Sequence, residues 1–356
     1  MAALASTHRM RVPAYVACSF SLALLAQGCS IPYGIREAFW PTPSVGHQVD
    51  SLDGLALEWD ASPLFTRADA EMVASGDHVV VQAARGVYEA EAVVAIEAET
   101  GRTAWANPGG VMGGMAASES AVYVGTLGIA TVNAFDNDKG DLLWSQRIPR
   151  GHSVSNLVSS HGALNAFTND GVFASLRISD GELMETMDSV NTVFVASPQL
   201  VLVQQPTLDS LSRLEPASGR AIWVSSFEED YRDEPVLSAD TAYVRTGALV
   251  GRVYAVALDT GELLWSTDRN VVSNVAVTEG MVFFLTEEGE LVGVSPASGQ
   301  RVATAGFSPS NLPLNTSDSP VGAYLVAASE GRVFALLGDS DQLFAFSVPD
   351  RASPAQ

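Results

Sequence analysis

The sequence contains very little cysteine. Its two cysteines, Cys18 and Cys29, both lie within the first thirty residues of a 356-residue chain. The rest of the chain therefore cannot form a disulfide framework, a cysteine-ligated zinc site or a thiol nucleophile. A hydrophobic content of 47% still fits a globular protein with a core and excludes a disordered chain.

Basic residues are also scarce. The chain has 19 lysine and arginine residues against 41 acidic residues, its single lysine is Lys139, and its formal net charge is -22. A surface of this charge repels phosphate backbones and anionic lipid headgroups. The charge balance therefore argues against nucleic acid as a partner.

The sequence lacks the patterns that indicate an enzyme. The four histidines after residue 30 show no metal-ligand spacing, and no Gly-x-Ser-x-Gly elbow is present. Residues 136–141 resemble a calcium loop, but the ligand spacing is incomplete and Lys139 would oppose a cation, so we interpret them as a turn. We predict no catalytic, cofactor-binding or metal-binding residues.

Residues 1–28 have the pattern of an export signal. Arg9 and Arg11 supply positive charge, and the apolar residues 12–25 are too few for a good membrane span. The segment ends in Gly28 before Cys29, which resembles the lipobox of bacterial lipoproteins. That resemblance implies acylation of Cys29. The alternative is an ordinary secretory signal cleaved near Gly28 that leaves Cys29 free.

Residues 29–54 are expected to form a lipidated tether, because they contain several prolines and little periodicity. Ser30 stands where many lipoproteins carry an aspartate that retains them at the inner membrane. The resemblance therefore implies an outer-membrane location, with the protein facing the periplasm. Residues 55–348 are assigned to the folded body, and residues 349–356 to a C-terminal tail.

One segment recurs along the body: an apolar run, a polar turn ending in glycine and, four residues later, a tryptophan. The turn glycines are Gly101, Gly140, Gly181, Gly219, Gly261 and Gly299. Trp105, Trp144, Trp223 and Trp265 follow four of these turns, whereas Glu185 and Ala303 occupy the tryptophan position after the other two. A seventh, degraded copy is assigned to residues 332–337, with its turn near Asp341.

The spacing of these copies is 38 to 42 residues, which is the period of a four-stranded propeller blade. Short β-rich runs bounded by turn residues precede the copies, and no long helical period occurs after residue 30. The sequence therefore predicts an all-β fold, a β-propeller of seven four-stranded blades, with eight blades as the alternative.

Trp59 matches an outer strand that has no blade of its own. We expect this N-terminal strand to pair with the last blade and close the ring, since closure removes exposed sheet edges. Residues 342–348 could compete for the same position. The five tryptophans and six glycines are expected to dock neighbouring blades, because each indole buries about 150–250 Å².

Residues 95–105 and 255–265 resemble the tryptophan-docking repeat of quinoprotein (PQQ) propellers, and the resemblance covers residues 55–340. With the lipobox and tether, the chain is similar to the BamB family of outer-membrane lipoproteins. That family implies a non-catalytic propeller that binds the barrel-inserting subunit and helps to deliver outer-membrane proteins. Its members have eight blades where we find seven copies, and no partner-contact residues are carried over.

We therefore expect a non-catalytic lipoprotein scaffold that binds other envelope proteins, is attached to the membrane by its lipid and needs no cofactor. A lineage-specific surface lipoprotein would share this fold and location. The alternative function is a PQQ-binding oxidoreductase or ligand sensor. The vicinal cysteine pair that is frequent in quinoprotein dehydrogenases is absent here.

Overall fold

The structure is a computed structural model, and its described part is all-β. It describes residues 47–61, 70–83, 92–108, 112–160, 162–188, 193–196, 200–204, 209–215, 220–230, 235–238, 240–247, 249–268, 270–278, 280–308, 324–329, 331–338, 340 and 342–348. Within these ranges there are 29 strands in seven sheets and no helix.

The strands follow one another as antiparallel blades. Two strands precede the first complete blade: β1 (Gln48–Asp53) and β2 (Ala56–Ala61). Blade 1 contains β3 (Met72–Ser75), β4 (His78–Ala83), β5 (Ala92–Glu97) and β6 (Thr103–Pro108). Blade 2 contains β7 (Met112–Ala117), β8 (Ala121–Thr126), β9 (Thr131–Asp136) and β10 (Leu142–Arg147). Blade 3 contains β11 (Val154–Ser160), β12 (Ala163–Thr168), β13 (Val172–Arg177) and β14 (Leu183–Asp188).

The remaining blades have the same order. Blade 4 contains β15 (Val193–Ala196), β16 (Val201–Gln204), β17 (Ser210–Leu214) and β18 (Ala221–Ser226). Blade 5 contains β19 (Val236–Ser238), β20 (Thr241–Arg245), β21 (Val253–Ala257) and β22 (Leu263–Ser266). Blade 6 contains β23 (Ala276–Val277), β24 (Val282–Leu285), β25 (Glu290–Val294) and β26 (Arg301–Ser308). Blade 7 contains β27 (Leu325–Ser329), β28 (Arg332–Leu337) and β29 (Gln342–Ser347).

The seven sheets form a closed ring, a seven-bladed β-propeller. The first strands of neighbouring blades contact one another at six of the seven junctions, including β27 of blade 7 with β3 of blade 1. Blades 4 and 5 are joined by a hydrophobic cluster that contains Leu202, Trp223 and Tyr254. The fourth strand of each blade lies on the outside. This arrangement confirms the predicted fold class and decides for seven blades over eight.

The hydrophobic core is divided among the junctions between blades. Each sheet packs both of its faces against neighbouring sheets, so its central strands are buried on both sides and carry runs of apolar residues. All six residues of β4 and five of the six in β28 are buried. One cluster joins blades 7 and 1 through Phe334 and Ile96, and another joins blades 6 and 7 through Phe283 and Phe346.

The N-terminal strand closes the ring. β2 pairs with β29 as the fourth strand of blade 7, with Trp59 opposite Ala345. The side chains of Glu58 and Arg332 form a salt bridge of 2.6 Å across this blade. The predicted closure by Trp59 is therefore correct, and residues 342–347 lie inside it as the third strand of the same blade.

The assignment of the seventh copy is corrected by this topology. Residues 332–337 are the second strand of blade 7, and the third strand is β29. The fourth strand of this blade is β2, which comes from the N-terminal chain, so blade 7 has no turn from the third strand to the fourth, and Asp341 itself is outside the described residues. The error arose because β28 and β29 are both apolar and both buried, so hydrophobic pattern alone could not order them.

A fifth strand is added to blade 6. β1 pairs antiparallel with the outer strand β26, from Gln48 opposite Ser308 to Asp53 opposite Thr304. The sequence analysis placed these residues at the end of the tether, so this part of the expected tether is a strand. Five of its six residues are exposed, so its sequence has no buried-strand pattern from which it could be predicted.

Every blade has a β-bulge in its outer strand. The register between the third and fourth strands shifts by one residue just before the tryptophan position in all seven blades. Blades 3 and 6 share the bulge although Glu185 and Ala303 replace tryptophan there. The bulge is therefore a property of the repeat, and it redirects the following side chain towards the next blade.

Candidate interaction surface

The five tryptophans named from the sequence make one repeated contact. Each indole Nε1 donates a hydrogen bond to a backbone carbonyl in the turn of the next blade, three residues before the turn glycine. The donor and acceptor pairs are Trp59 to Ala98 at 2.9 Å, Trp105 to Asn137 at 2.7 Å, Trp144 to Ile178 at 3.0 Å, Trp223 to Leu258 at 2.9 Å and Trp265 to Pro296 at 2.7 Å.

The turn glycine is required beneath each indole. Gly140 has a φ of 72°, in the region that favours glycine, and a Cβ there would lie 2.6 Å from Cδ2 of Trp105. The same close approach joins four more pairs: Gly101 with Trp59, Gly181 with Trp144, Gly261 with Trp223 and Gly299 with Trp265. Gly219 lies outside the described residues, as does Cys29.

Two blades lack the tryptophan. Ala303 of blade 6 leaves room for the chain that connects β1 to β2, because a Cβ on Gly54 would lie 3.2 Å from the Cβ of Ala303. Leu55 is buried in the same cluster as Ala303, so it supplies apolar contact where other blades use an indole. Glu185 of blade 3 is exposed, and the turn it would face, residues 216–219, is outside the described part of the chain.

The polar side chains of the turns serve the backbone or nearby side chains. The Asp136 carboxylate accepts hydrogen bonds from the backbone N–H of Asp138 and Lys139, at 3.1 and 2.9 Å, so residues 136–141 form the turn that we predicted. Glu97 instead bonds the side chains of Thr100 and Arg102, and these bonds lower the pKa of its carboxyl, with the Thr100 hydroxyl as the main cause.

Buried tyrosines pack beside two of the tryptophans. The ring centroids of Tyr123 and Trp144 are 5.8 Å apart, and those of Tyr243 and Trp265 are also 5.8 Å apart. Burial raises the pKa of both phenols above the ordinary value. Each phenol is therefore held neutral within a junction between blades.

The described residues contain no group of three or more histidine, cysteine, aspartate or glutamate side chains placed to hold a metal ion. His47 and His78 are buried and His152 is exposed, while His161 is outside the described part. In the same part of the chain, no helix is long and apolar enough to cross a membrane.

The outer strands of blades 2 to 5 carry most of the exposed apolar surface. Seven of the eleven large apolar side chains that are exposed in the described residues lie on these strands: Leu142, Leu143, Met184, Ile222, Val224, Leu263 and Leu264. Their exposed fractions range from 47% to 54%. The sequence analysis missed this surface, although the pairs Leu142-Leu143 and Leu263-Leu264 before tryptophan could have indicated it.

The two ends of the ring differ in their connections. Turns between first and second strands and between third and fourth strands emerge on one end and are short. The other end carries the links between blades, of which the longest runs from Ser308 to Leu325. Glu228, in the link after blade 4, and Asp268, in the link after blade 5, are exposed at this end, and the Glu228 carboxylate lies 3.8 Å from the Arg252 guanidinium. Long loops on a rigid body are common sites of recognition.

The profile of one protein family, described as outer membrane protein assembly factor BamB, matches residues 89–184 and 208–344, more than half of the chain. The chain belongs to this family. Two BamB relatives are similar to it: the protein of Moranella endobia is 23% identical over 58% of this chain and 60% of its own length, and that of Yersinia pestis is 23% identical over 67% of each. The chain thus spans about 60% of the first relative.

Solved structures agree on the fold. BamB from Moraxella catarrhalis is 16% identical, with a TM-score of 0.53 over 82% of this chain and 99% of that one. The WD40 propeller domain of Doa1 is 12% identical, with a TM-score of 0.60 over 85% of this chain and 99% of that one. The designed protein Ika8 has a TM-score of 0.54 at 13% identity and covers 84% of this chain and 100% of its own. At these identities the likeness concerns the propeller fold alone.

The two tryptophan-free blades of this BamB-family chain give opposite predictions. Glu185→Trp should raise the melting temperature, because the next turn contains Gly219, and an indole covers the equivalent glycine at five other junctions. The expected gain in the free energy of unfolding is about 0.5–2 kcal/mol. Ala303→Trp should lower it, because Gly54 and Leu55 already occupy the space beside Ala303. Thermal unfolding followed by circular dichroism measures both. Equal shifts for the two variants would contradict this account.

Stability should fall at alkaline pH. The raised pKa values of Tyr123 and Tyr243 mean that the folded state favours the neutral phenol. Their contribution to the free energy of unfolding is therefore complete below the phenol pKa of the unfolded chain, about 10. It is lost as the pH rises through the higher pKa values of the folded state. Lys139 is the only lysine, so tyrosines dominate titration in this range. Melting temperatures from pH 8 to 11 should decline, and the decline should be shallower in a Tyr123→Phe, Tyr243→Phe variant. An identical decline in that variant would contradict the assignment.

Proposed function

We propose that this BamB-family chain is a non-catalytic scaffold of the bacterial envelope that takes part in the assembly of outer-membrane β-barrel proteins. Its body binds other envelope proteins, and a lipid on Cys29 attaches it to the outer membrane from the periplasmic side. The observation that carries the proposal is the match of its propeller repeats to the BamB family profile.

The rigid ring supports the role of a scaffold. Five indoles dock onto the turns of neighbouring blades, and the N-terminal strand fastens the last blade, so surface positions on different blades keep fixed distances. A body of this kind can hold two partners in a defined geometry at little cost in conformational entropy. Its acidic surface, with a net charge of -22, favours proteins over nucleic acids as partners.

The point at which the tether meets the body supports the proposed anchor. The side-chain amide of Gln342 bonds both backbone groups of His47: its Oε1 accepts from the N–H, and its Nε2 donates to the carbonyl at 3.4 Å. Both residues are buried. A tether from Cys29 to this point would span at most about 65 Å, which sets how far the propeller can stand from the membrane.

Attachment is tested by metabolic labelling with an alkyne fatty acid. The wild-type chain should incorporate the label and sediment with outer membranes, whereas Cys29→Ser should remain unlabelled and appear in the soluble periplasmic fraction. Labelling of the Cys29→Ser variant would contradict the proposed anchor.

Assembly is tested by affinity capture of the full chain from detergent-solubilised membranes of its source bacterium. The barrel-inserting subunit should co-purify in near-stoichiometric amount, and outer-membrane β-barrel proteins should decrease when the gene is deleted. A deletion strain with unchanged levels of these proteins and a capture without the insertase would contradict the proposal. One-to-one binding of PQQ in a spectroscopic titration would contradict the non-catalytic role.

A further inference from the structure

One backbone torsion angle of the molecule is unusual. Arg150 has a φ of 66°, and the thirteen other described residues with positive φ are all glycine. Arg150 is the third residue of the turn 148–151 and follows Pro149, and the N–H of Gly151 closes the turn by donating to the carbonyl of Ile148 at 3.3 Å. A type II turn favours glycine or asparagine at this third position. A larger side chain here strains the backbone, and such strain concentrates where a side chain binds a ligand.

Both neighbouring blades hold this turn in place. The N–H of Ile148, whose side chain is buried, donates to the carbonyl of Ala130 in blade 2 at 2.8 Å. Ser153 is also buried, and its hydroxyl accepts from the N–H of Gly128 in blade 2 at 2.9 Å. The carbonyl of Ser153 accepts from the N–H of Asn169 in blade 3 at 3.0 Å. The backbone beneath Arg150 is therefore already ordered, so binding through this segment costs little conformational entropy.

Arg150 belongs to a small surface at the end of the ring that carries the links between blades. Arg147, Arg150 and His152 are exposed. Ile129, in the turn between β8 and β9, is 60% exposed, the highest value among the exposed large apolar side chains of the described residues. Arg147 lies opposite Thr131 in the ladder of blade 2, so the turn that carries Ile129 adjoins the link that carries the arginines. Ile129, Arg147, Arg150 and His152 together form what we call the Arg150 surface.

The local charge of the Arg150 surface is opposite to that of the chain. The chain has 41 acidic residues and a net charge of -22, but residues 120–135 and 142–169 contain no acidic residue. The carboxylate of Asp170, which follows the second range, accepts the backbone N–H of His152 at 3.1 Å. Hydrogen bonds, first from Thr168 and then from His152, lower the pKa of Asp170. Two arginines against this one carboxylate leave the local charge positive.

The matching turn of blade 5 has the opposite surroundings. Leu249, in the turn between β20 and β21, is 47% exposed. The links on either side of blade 5 carry the exposed acidic residues Glu228 and Asp268. Ile129 and Leu249 therefore suit partners of opposite charge, and Ile129 suits an acidic one.

A short acidic segment suits the Arg150 surface better than an anionic membrane does. Screening limits charge interactions to about 8 Å at physiological ionic strength, so a short segment interacts mainly with the two arginines. A flat anionic bilayer would also meet the acidic links at this end of the ring, such as the one with Glu228, and would be repelled by them. The exposed Ile129 adds a preference for an apolar side chain in the segment.

We propose that the Arg150 surface binds a short segment of a partner protein in which carboxylates flank an apolar side chain. The guanidinium groups of Arg147 and Arg150 bind the carboxylates through charge-assisted hydrogen bonds, and Ile129 contacts the apolar side chain. The strained backbone at Arg150 is retained because glycine, which fits the turn better, supplies no cation. This inference goes beyond the proposed role in outer-membrane assembly and does not depend on it.

Binding is tested on the full chain with a fluorescent peptide that carries Glu-Glu-Leu-Glu-Glu at its centre. A second peptide has glutamine in place of each glutamate, and a third has serine in place of leucine. Fluorescence anisotropy should show binding of the first peptide, with affinities lower by about fivefold for the second and about threefold for the third. Raising the salt concentration from about 50 to about 300 mM should weaken binding of the first peptide several-fold.

The variant Arg150→Gly separates binding from stability. It removes the cation and gives the turn the residue that its backbone favours, so binding of the first peptide should weaken by about threefold while the melting temperature stays equal or rises. With Arg147→Ser added, the loss should reach about tenfold. The control Arg102→Ser removes one arginine at the opposite end of the ring, where it pairs with Glu97, and should leave binding unchanged.

A matched pair of variants tests the apolar contact. Ile129→Ser should weaken binding of the first peptide by about threefold, because it removes the exposed apolar side chain beside the arginines. Leu249→Ser makes the corresponding change in the matching turn of blade 5 and should leave binding unchanged. Thermal unfolding of both variants verifies that the propeller is intact.

Three results would overturn the proposal: no binding of the first peptide, equal binding of the glutamine peptide, or a lower melting temperature of Arg150→Gly, which would mean that Arg150 serves the fold. Tighter binding of phosphatidylglycerol vesicles than of the peptide, lost in Arg150→Gly, would overturn it in favour of a membrane site. The peptide comparisons use the unaltered protein, so they stand even if a variant fails to fold. Failure of the proposed assembly role would instead appear as absent co-purification of the insertase, whatever the peptide does.

Discussion

The structure depends on the contact between the indole of one blade and the glycine turn of the next. A four-stranded blade cannot bury both of its own faces, so it is stable only when its neighbours cover them. The indole fixes where the neighbour lies: it covers a turn glycine that has no room for a side chain, and its Nε1 binds the carbonyl three residues before that glycine. Repeated around the ring, this contact sets the relative position of the blades.

The N-terminal chain completes the two places where the pattern would otherwise fail. β2 brings Trp59 to blade 7, which has only three strands of its own, and the indole docks onto the turn of blade 1. The link from β1 passes over Ala303, where blade 6 has no indole, and Leu55 fills the junction there. β1 remains paired with the outer strand of blade 6, so the N-terminal chain adds a fifth strand to one blade and supplies the fourth strand of the next.

Local features of the fold could be predicted from the sequence, whereas features that depend on a distant partner could not. The glycine turns, the tryptophans after them and closure by Trp59 follow from a repeat of about forty residues. The bulge before each tryptophan depends on register with the third strand, and β1 is recognisable only through its pairing with β26. Residues 332–337 were misassigned because two adjacent strands of blade 7 have the same apolar pattern. The exposed apolar residues of the outer strands were missed, although pairs such as Leu263-Leu264 precede the tryptophan of a strand that the repeat places outermost.

A double-mutant cycle on Trp105 and Gly140 tests the central contact most directly. Trp105→Ala should lower the free energy of unfolding by about 3–5 kcal/mol, because it removes a buried indole. Gly140→Ala should cost more in the wild-type background, where the added Cβ meets the indole, than when Trp105 is alanine, where only the strain of the positive φ remains. Chemical denaturation of the four proteins gives the coupling. A double variant clearly more stable than the sum of the single losses is the predicted result, and strict additivity would contradict the account.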